Sequence, residues 1–228
     1  MKTSIPLFCS LLFAVVSFGQ NYQYQYPTDP YSAAPQAYSG ASEGFPAVTS
    51  SNYDKLLSYG SLEVNYRYND FKTDSKLNNS SGIGAALNVQ LFKPFYLHFG
   101  VDWLDGTDTK AKSFSLTGLS AAGGLYLPVV ARFHIFGEFG VRYDITSGAL
   151  YKFHPDEFAV YMRPGVRFAA TDRVEIDASL YFASTKNLND SVFQLNGYFA
   201  LLSVLDLGVG VDFASDLNTY HGGLRLRW

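Results

Sequence analysis

The sequence predicts an all-β fold: a transmembrane antiparallel up-and-down β-barrel of ten strands, with eight as the alternative if the weak fourth or sixth run fails to span. Three observations carry this. Apolar residues alternate with polar or small ones in ten successive runs, the pattern of strands with two unlike faces. The connections between runs alternate between short and long, the layout of a membrane barrel. Lysine is missing from the polar rows, which carry arginine instead.

Two segments precede the alternation. The chain opens MKTSIPLFCSLLFAVVSFGQ, with Lys2, an apolar stretch from Ile5 to Phe18 and a small-x-small site at Ser17-Phe18-Gly19. Residues 1–19 therefore read as a secretory signal peptide. The single cysteine, Cys9, lies inside it, so the mature chain has neither a disulfide nor a thiol nucleophile. Residues 20–55 are rich in Tyr, Pro and Ser, with prolines at 27, 30, 35 and 46. Such a composition buries too little to offset the entropy of ordering, and a disordered N-terminal tail is expected. It serves as a spacer, with cell-wall or surface contact the alternative role for its tyrosines.

Residues 56–228 hold the barrel. The first run is Leu62, Val64, Tyr66 and Tyr68; the second runs from Ile83 to Leu91 and the third from Phe95 to Trp103. Leu119 to Leu127 and Ile135 to Tyr143 make the fourth and fifth. The sixth, Val160 to Phe168, is interrupted by Pro164. Val174 to Phe182, Phe193 to Leu201, Leu205 to Phe213 and Tyr220 to Trp228 complete the ten. Short links are expected at Phe92-Lys93-Pro94, Pro128 to Val130, Ala170 to Arg173 and Leu202 to Val204. Longer ones are expected at Asn69 to Ser80, Asp105 to Ser115, Ile145 to Asp156, Ala183 to Asp190 and Ala214 to Asn218.

Composition fits this class. Hydrophobic residues make up 47% of the 228 and charged residues 16%, with a net charge of −3, which offers no electrostatic basis for binding nucleic acid. Aromatics sit at the ends of the apolar rows, among them Tyr66, Trp103, Tyr143, Phe168 and Phe213, where interfacial girdles form. Lysines fall in the tail, loops and turns, whereas Arg67, Arg142, Arg163, Arg167, Arg225 and Arg227 occupy the polar rows. A confined polar interior favours arginine, whose planar fork pairs with carboxylates. The polar face is therefore the lumen and the apolar face meets lipid.

The stretch Tyr59 to Trp228 resembles the small outer-membrane β-barrel proteins of diderm bacteria, the porin-family or opacity-like group. The ending carries the resemblance best: Tyr220, Leu224, Leu226 and Trp228 match the family's last strand, with Trp where Phe is commoner. The resemblance implies export through the periplasm, insertion into outer-membrane lipid, and a terminal strand read as an assembly signal by the barrel-insertion machinery. It also implies that both termini are periplasmic.

The candidate site residues are lumenal. Glu63, Asp102, Glu138, Glu175, Asp177, Asp206 and Asp212 are expected to pair with the six arginines and His221 in an ion-pair network, since desolvated charges are tolerable when paired. Pairing Phe213 with Tyr220 in the last hairpin sets Asp206 opposite Arg227 and Asp212 opposite His221. Arg167 then faces Glu175 or Asp177. The leading expectation is a non-enzymatic structural or surface protein, or a narrow pore with a salt-bridged lumen. A second reading is an outer-membrane protease or lipid-modifying enzyme using Asp212 and His221, with His as general base. A soluble ligand-binding barrel is the third. His98, Asp102 and His134 are too far apart on strands to suggest a metal, and no cofactor is implied.

Overall fold

A computed structural model describes residues 57–72, 77–148, 151, 156–184 and 189–228. The signal peptide and the N-terminal tail lie outside the described residues. Ten strands close into one barrel in sequential antiparallel order, the last pairing with the first. They are β1 (Ser61–Phe71), β2 (Leu77–Phe92), β3 (Phe95–Asp108), β4 (Ser113–Val130) and β5 (Phe133–Gly148), then β6 (Glu157–Ala169), β7 (Val174–Ser184), β8 (Asn189–Ala200), β9 (Leu205–Phe213) and β10 (Leu217–Arg227). Closure leaves no strand edge, which a lipid environment requires because it offers backbone groups no partner.

The register fixes the geometry. A hydrogen-bonded row that begins at Glu157 passes through Asp144, Gly118, Asp102, Gly84 and Asn65. It continues through Gly223, Gly208, Tyr198 and Glu175 and returns to β6 at Ala169. That stagger of twelve residues for ten strands demands a tilt of roughly 35–45°. Side chains of one parity point outward throughout. Val64, Phe99, Leu127, Phe139, Leu195, Val209 and Leu224 are all exposed on the outer face. Asn65, Tyr96, Glu138, Tyr161 and Arg225 are buried on the inner one. The apolar face is thus outside, the reverse of a soluble ligand-binding barrel, and that third reading is overturned.

The weak runs span after all, so the eight-stranded alternative does not hold. β4 is 18 residues long and β6 is 13. Pro164 lies within β6, paired with Gly137 of β5, while the ladder to β7 skips Arg163 and Pro164 and resumes at Gly165 in the same register. The proline, lacking an N–H, removes a ladder bond without ending the strand. Pro128 to Val130, expected as a turn, belongs to β4: the register shifts between Pro128 and Val130, and the turn is Ala131-Arg132. A bulge absorbs the proline at a strand end.

The loops are shorter than the alternation suggested. β1 continues to Phe71 and β2 restarts at Leu77; β3 runs on to Asp108 and β5 to Gly148. Ladder bonds need no apolar side chain, so the strands outlast their hydrophobic rows. The two rims can be named by their connections. The turn end carries the four short links together with the start of β1 and the end of β10, and the loop end carries the five others.

Candidate functional site

The lumen divides into two layers. At the turn end, Glu175 at the start of β7 and Asp206 at the start of β9 have no exposed surface. Arg167 of β6 donates to Glu175 Oε1 from Nε (2.8 Å) and Nη2 (2.5 Å). Arg225 of β10 donates to Glu175 Oε2 (2.6 Å) and, from Nε, to Asp206 Oδ2 (2.8 Å). Arg227 donates to Asp206 Oδ1 at 2.7 Å. Five side chains from four strands therefore form one chain of charge-assisted bonds, roughly twice as strong as neutral ones. Asp177 stands at its margin, 3.9 Å from Arg167 Nε.

Rings pack against this chain. The guanidinium of Arg225 lies 3.6 Å from the Tyr198 ring centroid, and the Tyr198 hydroxyl donates to Glu63 Oε2 (3.0 Å). Tyr96 and Arg163 both donate to Glu138 Oε1, at 2.9 and 2.6 Å. Close approach of these rings needs bare backbone opposite: a Cβ on Gly124 would stand 2.3 Å from the Tyr96 ring, and one on Gly208 would stand 2.9 Å from that of Tyr198.

Residues 57–60, which the sequence places in the barrel but not among the lumenal site residues, enter this layer. Tyr59 stacks on Tyr126 (3.9 Å between centroids, 5° between planes) and takes Arg167 over its face at 4.5 Å. Arg167 also donates to the Ser58 carbonyl at 3.1 Å, and Ser58 Oγ donates to the carbonyl of Trp228 at 2.8 Å. Leu57 is buried against Ala169. The missed signal was parity: Tyr59 shares its face with lumenal Ser61 and Glu63. Above this plug lies a cavity of about 970 Å³ that reaches the loop end, its floor formed by Tyr59, Arg167 and Arg225.

The loop-side layer is looser. Asp102 bridges Arg67 (3.0 Å) and Arg142 (3.3 Å), and Arg142 Nε donates to Asp144 Oδ1 at 2.8 Å. Asp144, just beyond the fifth apolar run, and Glu157, between the expected loop Ile145 to Asp156 and the sixth run, were both missed; they face each other across β5 and β6. The last hairpin is a correction. Phe213 pairs with Asn218 rather than Tyr220, so Asp206 lies opposite Arg225 and Asp212 opposite Thr219. A tight connection, with Ala214 N donating to Leu217 O (3.0 Å), starts β10 sooner than assumed. A shift of two residues keeps every side chain on its face, and diagonal reach still brings Arg227 to Asp206.

His221 Nε2 stands 3.7 Å from Asp212 Oδ1, beyond hydrogen-bond range. The hydroxyl opposite Asp212, that of Thr219, donates to Asn69 Oδ1 at 2.7 Å. His98 bonds Asn88 (2.8 Å), and His134 stacks on Tyr126. Among the described residues no group of three or more His, Cys, Asp or Glu is placed to hold a metal ion. On the outer face Tyr220, Leu224, Leu226 and Trp228 are all exposed.

No protein-family model matches the chain, and no curated protein matches it in sequence. Solved structures similar to it include the KdgM porin in complex with disordered oligogalacturonate (10% identity, TM-score 0.41, 74% of this chain and 99% of that one). Neisserial surface protein A is similar at 12% identity and TM-score 0.39 (75% and 98%). The attachment invasion locus protein Ail of Yersinia pestis is similar at 9% identity and TM-score 0.39 (75% and 100%). The likeness is one of barrel architecture. Closed by ten strands, apolar outside and charged within, the chain is a transmembrane β-barrel, similar in fold to small outer-membrane barrel proteins.

Proposed function

We propose that this chain is a non-enzymatic outer-membrane barrel, a surface or structural protein whose lumen is closed at the periplasmic end. In this reading the turn end, with both barrel termini, faces the periplasm, and the loop end faces outward. One observation carries it: the floor of Tyr59, Arg167 and Arg225, backed by Glu175 and Asp206, separates the cavity from the turn end. A diffusion porin needs a continuous bore, and the paired charges and stacked rings at the turn end support a closed one. The enzymatic reading is weaker, because Asp212 and His221 do not share a hydrogen bond and the Thr219 hydroxyl is already committed.

Single-channel recording on the refolded full chain tests this. The unmodified barrel should pass little or intermittent current, and Tyr59→Ala combined with Arg167→Ala should enlarge it. A large steady conductance in the unmodified protein would make diffusion pore the correct description.

A further inference from the structure

The loop-side cavity is unevenly satisfied. Among the described residues eight carboxylates and six cationic side chains line it, and two of those cations, Arg167 and Arg225, already share Glu175. Arg67 and Arg142 are both bound to Asp102. At the rim, Lys72 Nζ donates to the carbonyls of Ala214 (2.9 Å) and Ser215 (2.6 Å). Negative charge in a low-dielectric cleft open at one end concentrates cations there.

Unused acceptors lie diagonally across β8 and β9. Asp212 is only 7% exposed, yet among the described residues neither Asp212 Oδ1 nor Asn196 Oδ1 accepts a hydrogen bond. Both residues line the cavity. Asn196 and His221 converge over Gly210, where a Cβ would come within 2.2 Å of Asn196 Oδ1 and 2.4 Å of His221 Cε1. The missing side chain is what lets Asn196 and His221 meet there. Tyr161 and Tyr181, with ring centroids 4.9 Å apart, also line the cavity, and the Tyr181 hydroxyl has no hydrogen-bond partner among the described residues. Buried acceptors left unmade are costly, and aromatic faces attract ammonium groups.

The geometry points to a binding site for a small organic cation in this cavity, with Asp212 taking its ammonium group and Asn196 and the tyrosine pair completing the shell. Several N–H donors on one positive centre fit a wall of oxygens better than a neutral polyol does, and the excess of carboxylates supplies the sign. The volume, about 970 Å³, lies at the upper end of the roughly 300–1,000 Å³ range of ligand pockets. The inference rests on the closed floor insofar as the ligand is held rather than passed.

Spermidine titrated calorimetrically into the folded full chain in detergent is the test. Saturable binding that weakens with added salt is expected. Asp212→Asn, which keeps shape, should lower affinity at least tenfold, while Asn196→Asp should raise it several-fold. Absence of saturable binding, equal binding of maltotriose, or an unchanged affinity in Asp212→Asn would each overturn the site. A non-conducting barrel that ignores spermidine would refute this inference alone, and a conducting barrel that binds it would refute the closed floor alone.

Discussion

Removing Glu175 should cost this barrel more stability than losing any exposed ion pair. Its carboxylate has no exposed surface and holds Arg167 and Arg225 together. Breaking a buried pair by deleting one partner costs about 3–5 kcal/mol, because the remaining charge stays desolvated. Here the loss is moderated: Arg225 keeps Asp206 at 2.8 Å, and Arg167 keeps the Ser58 carbonyl at 3.1 Å. The lower end, about 3 kcal/mol, is therefore expected for Glu175→Ala. Glu175→Gln retains one carbonyl acceptor but loses the charge, and about 1.5–3 kcal/mol is expected. Arg132→Ala is the internal control, since its pair with Asp172 (3.3 Å) is exposed on both sides and such pairs contribute about 0–1 kcal/mol. The assay is urea unfolding in liposomes, read by the gel-mobility difference between folded and unfolded barrel. If Glu175→Ala costs no more than Arg132→Ala, the network does not hold the turn end closed, and the argument from buried charge fails.

Two further outcomes probe the outer face and the closure. Val209, mid-strand in β9 and 61% exposed, should accept arginine at a cost of about 2–4 kcal/mol near the bilayer midplane, measured by the same unfolding assay; a neutral Val209→Arg would refute the lipid-facing assignment. Deleting Leu224 to Trp228 removes partners of Ser61 to Val64 on β1 and of Leu205 to Leu207 on β9, leaving edges that lipid cannot satisfy. No folded band should then appear on unheated gels, and a folded band would show that closure does not need these residues.

How much of this was legible follows from what parity can encode. Alternation assigns a face to each residue, and a face survives a register error of two. Arg67, Arg163 and Arg225 therefore line the cavity even though the last hairpin pairs two residues away from the expected register. Parity also marked Tyr59, but that residue precedes the first apolar row, and nothing local says that the chain there turns under the barrel rather than away from it. Asp144 and Glu157 were obscured for a related reason: beyond the lipid belt the hydrophobic rows stop while the ladder bonds continue. By itself the sequence determined the ten alternating runs, which face is apolar, and the choice of arginine for the other, because these depend on residue type at period two, whereas the spanning of the fourth and sixth runs was decided by the structure. The tertiary structure alone decided the stagger of twelve, and with it which carboxylate meets which guanidinium. Those contacts run from neighbouring strands, as Arg167 of β6 to Glu175 of β7, to Arg225 of β10 meeting that same Glu175, and their distances are set by closure, a property of the whole ring that no single strand carries.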